Sequence, residues 1–190
     1  MTADLAVFLS NVSNVHVDAF GVVGLGLGFA AGAMPNRTAI LIASAACSAC
    51  FGLHFLHLGA STGAAMCTVS VVQGLVSALC LGTRGRSLIA PVFALTSLVA
   101  VWLTLATWNG WPSGFAAVGA ILSTSARLQG EARPMRLLFL AASLCWAGHN
   151  LLVGSVFAMT CDLVTMSGLV LALRRARLVR PASAPGGLAA

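Results

Sequence analysis

The sequence predicts an all-α integral membrane protein, with seven transmembrane helices arranged as two parallel three-helix repeats joined by a linker helix. Three observations carry that reading. Only 7% of the 190 residues are charged and 59% are hydrophobic, with a mean hydropathy of +0.98, against roughly a quarter charged in an ordinary soluble domain. The ten basic residues, all arginine, outnumber four acids and gather at the ends of apolar runs. The stretch ending at Gly59 is echoed 95 residues later by the stretch ending at Gly154.

Each span needs about 20 mainly apolar residues to cross the hydrocarbon core. The apolar runs place spans at 16–35, 38–58, 62–82, 88–107, 112–127, 135–154 and 156–173. The breaks are chemical: Pro35-Asn36-Arg37, the Gly59 to Gly63 stretch, Gly82 to Arg86, Asn109 to Pro112, Arg127 to Pro134, and Gly154-Ser155. The fifth run is short and rich in small residues, so a six-span chain is the competing reading. The arginines decide between them, because short cytoplasmic loops hold the positive charge. With seven spans, Arg37, Arg84, Arg86, Arg127, Arg133, Arg136, Arg174, Arg175, Arg177 and Arg180 all fall on one side; with six they scatter. The N-terminus is therefore expected outside and the C-terminus inside, with Trp108 and Trp111 at the outer boundary. In this scheme residues 1–15 form an outer segment, 16–82 the first repeat, 83–111 the linker helix, 112–175 the second repeat, and 176–190 a disordered cytoplasmic tail rich in Pro and Gly.

The composition also excludes. The basic excess is topological, so no nucleic-acid partner is expected; the bilayer is. Cys47, Cys50, Cys67, Cys80, Cys145 and Cys161 all lie in apolar stretches, unlike a secreted disulfide framework or a zinc ribbon. The N-terminus carries no basic region and no cleavage pattern of a removable signal. GLGLGF lies inside an apolar span, where a nucleotide loop would need a preceding strand.

At the offset of 95, Ala46/Ala141, Ser48/Ser143, Cys50/Cys145, His54/His149, Leu56/Leu151 and Gly59/Gly154 are identical, and Phe51/Trp146 are both aromatic. The same offset pairs Gly24 with Gly119 and Ser70 with Thr165. Three helices plus one linker give both units the same orientation, and solute sites of parallel repeats lie between the halves. In span count, repeat type and orientation this 3+1+3 plan resembles SWEET and PQ-loop transporters, although Pro35 is followed by Asn36 where the PQ-loop proteins carry glutamine.

A closer resemblance rests on residues. GLHFLHLGASTGAA at 52–65 and CWAGHNLLVGSVFAMTCDLV at 145–164 look like the bacterial inner-membrane protein family of the YgjV type, and the likeness covers nearly the whole chain. It implies an inner (plasma) membrane location and little biochemistry. Asp162 lies where the resemblance implies a second-half acid, and Gln73 where it implies a basic residue.

Ionisable groups inside a span are costly and usually face the bundle interior or a wet cavity. Asp162 is the only acid well inside a span, roughly 9 Å below the outer boundary by helix rise. His149 and Asn150 lie at a similar depth on the neighbouring span, so a pH-sensitive Asp162–His149 pair is expected. Ser70, Gln73 and Thr165, with His54, would line one cavity opening outward, and Trp146 either stacks on a ring-shaped solute or packs in the core. Cys50-x3-His54 and Cys145-x3-His149 would bring two thiols and two imidazoles toward the axis, a soft metal or haem set, although Cys is also a small buried apolar residue. Gly24, Gly28 and Gly32 form a small-residue stripe suited to close helix contact. No Ser/His/Asp arrangement is legible and no cofactor is expected. The chain thus reads as a non-enzymatic carrier of an unidentified small polar solute. The alternative is a non-transporting subunit or assembly factor docking a larger complex through the glycine stripe, and metal or haem handling is a minor third reading. Whether it forms a homo-oligomer is open.

Overall fold

The computed structural model describes residues 18–34, 37–80, 86–129 and 131–178. Seven helices run through them: α1 Ala19–Ala33, α2 Arg37–His57, α3 Ser61–Leu79, α4 Arg86–Ala106, α5 Trp111–Arg127, α6 Ala132–Val153 and α7 Val156–Leu178. Each coincides with one expected span to within a few residues, α7 running five residues past its expected end. The outer segment at 1–15 lies outside the described residues, as does the tail beyond 178. Five helices, α2, α3, α4, α6 and α7, are long and apolar enough to cross a membrane; α1 and α5, with 15 and 17 residues, are shorter.

The helix ends follow from local chemistry. Asp18 caps α1, its carboxylate accepting the Phe20 N–H at 3.2 Å. Gly59 and Gly154 end α2 and α6 in the left-handed region, at φ of 71° and 72°, a conformation that glycine takes without a Cβ penalty. In both turns a backbone N–H folds back on the helix, Ala60 to the Phe55 carbonyl at 2.8 Å and Ser155 to the Asn150 carbonyl at 2.9 Å.

Side-chain bridges fix the alternation of direction. His54 near the end of α2 reaches Asp18 before α1 and Ser155 before α7. Thr62 at the start of α3 reaches Thr107 after α4 and Ser113 at the start of α5. His149 near the end of α6 reaches Pro112 in α5. These groups share one end of the bundle. Arg127, Arg133, Arg136, Arg174 and Arg175 stand at the other, as do the helix positions of Arg37, Arg86 and Arg177.

Within the bundle α2 packs between α1 and α3, and α6 between α5 and α7. The two groups meet where α1 touches α7 and where α3 touches α5, while α4 leans on α3 and α5 from outside. Small residues permit the close approach. A Cβ on Gly24 would meet Cys50 Cβ and the Phe51 ring at 3.3 Å, and one on Gly119 would meet the Trp146 ring at 3.0 Å and Cys145 Cβ at 3.4 Å. The core between the halves is built on Phe51, Phe55, Ala64, Cys67 and Ala158, and a second cluster on Met66, Val69, Ala100, Ala116 and Ala120 joins α3, α4 and α5.

Candidate functional site

A cavity of about 170 Å³ lies between the two groups of helices. Phe51, Phe55 and Trp146 form its aromatic part, Cys47, Cys67 and Cys161 contribute thiols, and Ser48, Ser70 and Ser123 contribute hydroxyls. Asn150 and Asp162 stand on one side, and Arg127 lies toward the arginine-bearing end. Of the residues expected to line a site, Asp162, Asn150, Ser70 and Trp146 do so.

Asp162 does not pair with His149, as the sequence suggested. Adjacent helices bring Asn150 to it instead: Asn150 Nδ2 donates to Asp162 Oδ2 at 2.7 Å, and Asn150 Oδ1 is left buried without a partner. His149 sits one residue earlier, about a 100° turn away around α6. Its Nδ1–H donates to the Pro112 carbonyl at 2.9 Å, which places the Nε2 lone pair against Gly63 with no hydrogen-bond partner.

His54 is also absent from the cavity lining. Its Nδ1 meets Asp18 Oδ2 at 2.8 Å and its Nε2 meets Ser155 Oγ at 2.9 Å. With Nδ1–H donating to the carboxylate, neutral His54 accepts the Ser155 hydroxyl at Nε2. The sequence showed no Ser/His/Asp arrangement, and this is one. Ser155 is only 1% exposed, and its Oγ caps α7 by accepting the Ala158 N–H at 3.3 Å. The chain of three groups therefore ties α1, α2 and α7 together in a position closed to substrate. Burial pushes the Asp18 carboxyl up, but the hydrogen bonds from His54 and the Phe20 N–H outweigh it and hold the group below its ordinary 3.8.

Gln73 and Thr165 are corrected as well. Gln73 is fully buried beside the cavity, its Oε1 accepting from Thr124 at 3.1 Å and Arg127 Nη1 at 2.9 Å while its Nε2 donates to Thr96 at 3.0 Å. The positive charge that the resemblance implies at position 73 thus arrives from α5. Thr165 faces outward and bonds its own backbone at Cys161, the usual fate of a hydroxyl in an apolar helix.

The four-residue metal set does not assemble. Both nitrogens of His54 are engaged, while Cys50 and Cys145 each turn toward a glycine of their own helix group, Gly24 and Gly119. Among the described residues no cluster of three His, Cys, Asp or Glu side chains is placed to hold a metal ion. Two glycines of the stripe, Gly24 and Gly28, pack against neighbouring helices of the same chain. A Cβ on Gly28 would lie 2.5 Å from Cys161 Sγ and 3.5 Å from Cys47 Sγ, so these two thiols, on α7 and α2, meet over α1.

Sequence reasoning assigned Arg127 to a loop and Ser155 to a break. The cap signature was present in both Asp18 and Ser155, each an oxygen-bearing side chain just before an apolar run. Nothing local signalled that Arg127 turns inward.

A model of the family described as Imp-YgjV, bacterial inner membrane protein, matches residues 16–179 of the chain. No curated protein and no solved structure matches.

Proposed function

The chain belongs to the Imp-YgjV family of bacterial inner membrane proteins, and on that premise we propose that it is a carrier or facilitator for a small polar solute. Two three-helix units, α1–α3 and α5–α7, rock about the central cavity, and α4 links them. The observation that carries the reading is the cavity itself. The side chains of Asp162, Asn150, Ser48, Ser70, Ser123 and Arg127 line a space between the two helix groups, an arrangement that is costly in a membrane unless something polar uses it.

The parallel repeat is supported by equivalent contacts at equivalent positions. Gly24 lies on Cys50 and Phe51 as Gly119 lies on Cys145 and Trp146, residue for residue at the offset of 95. His54 and His149 each spend Nδ1 on the start of the first helix of their own unit. Each turns Nε2 toward the third helix of the other unit. The contact of α1 with α7 becomes that of α5 with α3 under the same exchange.

On this reading all seven helices span, and the positive-inside rule assigns the arginine end to the cytoplasm and the Asp18 end to the outside. The cavity then reaches Arg127 near the cytoplasmic end, while the Asp18–His54–Ser155 chain joins the units on the outside. No enzymatic role enters this reading.

The test is uptake or efflux in proteoliposomes across sugars, amino acids, nucleosides and vitamins. The expected result is flux of one class, cut at least tenfold by Asp162→Asn; no flux of any solute overturns the carrier. A subunit role predicts instead stoichiometric co-purification with one larger complex.

A further inference from the structure

Ionisable side chains of both kinds, an acid and a guanidinium, line the central cavity and do not pair with each other. Asp162 is bonded by Asn150 Nδ2 and Arg127 by Gln73, with no ion pair between them. The Gln73 oxygen is filled, held by Thr124 and Arg127, while the nitrogen gives one of its two N–H groups to Thr96. Gln73 therefore fixes the guanidinium by one Nη1 contact at 2.9 Å and leaves other donors of the fork free, since the group carries five. At the opposite side Asn150 is 1% exposed and its Oδ1 has no partner. A buried acceptor without a donor costs about 1–3 kcal/mol, and this one belongs to the amide that orients the Asp162 carboxyl, the group that would meet an N–H cation.

The spacing of the two poles follows from the fold. Asp162 lies six residues into α7 and Arg127 sixteen into α5, and the two helices start at the same end of the bundle. Their Cα atoms are therefore about 15 Å apart along its axis. The Arg side chain leans back toward the start of its helix, as its bond to Gln73 requires, which leaves roughly 10 Å between the charged heads. Subtracting a hydrogen bond of about 2.8 Å at each pole leaves about 4.4 Å for the ligand's own charge separation. The apolar stretch between the poles, Phe51, Phe55, Trp146 and the thiols of Cys47 and Cys161, suits methylene groups.

We infer that the cavity binds a small linear zwitterion, its ammonium held by Asp162 and its carboxylate by Arg127, with a short methylene chain between them. This assignment names the substrate class of the carrier proposed above and rests on the same cavity. It excludes α-amino acids without a second charged end, whose adjacent charges cannot reach both poles, and neutral sugars, which leave both charges unmet.

The probe is 4-aminobutanoate, tested by calorimetric titration and by thermal shift of the purified full chain in detergent, beside butylamine, butanoate, alanine and glucose. The expected result is saturable binding of 4-aminobutanoate and at least tenfold weaker binding of the other four. Asp162→Asn and Arg127→Met should each weaken the zwitterion at least tenfold, the first removing the preference over butanoate and the second that over butylamine. Should either variant fail to fold, the five-ligand series on the unaltered protein still decides. Butylamine equal to the zwitterion, butanoate equal to it, or no binding of 4-aminobutanoate overturns the assignment. The carrier reading fails separately: binding without flux in proteoliposomes sinks transport and leaves the site, whereas flux of another solute without zwitterion binding sinks the site and leaves transport.

Discussion

His54 and Ser155, 101 residues apart in the chain, meet at 2.9 Å and join the second helix of one group to the start of the last helix of the other. Ser155 serves twice there, since its Oγ also caps α7 through the Ala158 N–H. Ser155→Ala removes both bonds at once. The expected loss is about 2 kcal/mol, a cap plus a buried hydrogen bond, read as a lower midpoint in detergent unfolding. Ser155→Thr should retain most of the stability. An alanine variant as stable as the parent would show that this contact holds nothing.

Gly63 gives a sharper test of packing. A Cβ there collides with His149 Nε2, and the imidazole is held in place by its bond to Pro112. Gly63→Ala should cost about 1–3 kcal/mol by overpacking. The diagnostic is coupling: His149→Ala removes the ring, so the double variant should be more stable than the two single losses summed. Simple additivity would place the strain elsewhere.

Acid should act on Asp18. Its folded carboxyl is held below 3.8, so the folded state favours the ionised form more than the unfolded chain does. That contribution to stability is complete above the unfolded value of about 3.9 and disappears as pH falls through the lower folded value. Asp18→Asn should flatten the stability profile below about pH 4 relative to the parent. An unchanged acid limb in the variant would assign the loss to another group.

The thiols of Cys47 and Cys161 face each other across the small surface of Gly28. Copper-phenanthroline with oxygen, or a short bifunctional thiol reagent, should join α2 to α7 there. Mass spectrometry of the digested protein should find the 47–161 linkage ahead of any involving Cys80, which sits at the far end of α3. In proteoliposomes the linkage should arrest flux, with recovery on adding a reductant and resistance in Cys47→Ser. Absence of the linkage under these conditions contradicts the geometry.

Helix positions were legible because each apolar run is bounded by Gly, Pro or Arg, and backbone hydrogen bonding in lipid leaves little choice beyond a helix. Asp162 and Asn150 were legible as a buried polar pair because polarity inside a span must be explained. Their partnership was not. Depth along the axis can be counted from the sequence, but rotation about each helix depends on packing. His149 and Asn150 differ by one residue and face different surroundings, one toward Pro112, the other toward Asp162. Thr165 was misjudged for the same reason. Arg127 was read as a loop charge because helix ends and loops share arginines. Its inward turn depends on Gln73, 54 residues earlier, offering a fixed oxygen.

The two shortest helices, α1 and α5, occupy corresponding places in the two halves, with 15 and 17 residues. At 1.5 Å per residue they are about 22 and 25 Å long against a hydrocarbon thickness of about 30 Å. If all seven helices cross, lipid beside α1 and α5 must compress by several ångströms, at a cost of fractions of a kcal/mol per ångström. The protein then carries a local thinning of its own bilayer, and bilayer thickness becomes a variable that sets its stability. Vesicles of short-chain lipid should accommodate it with less strain than vesicles of long-chain lipid.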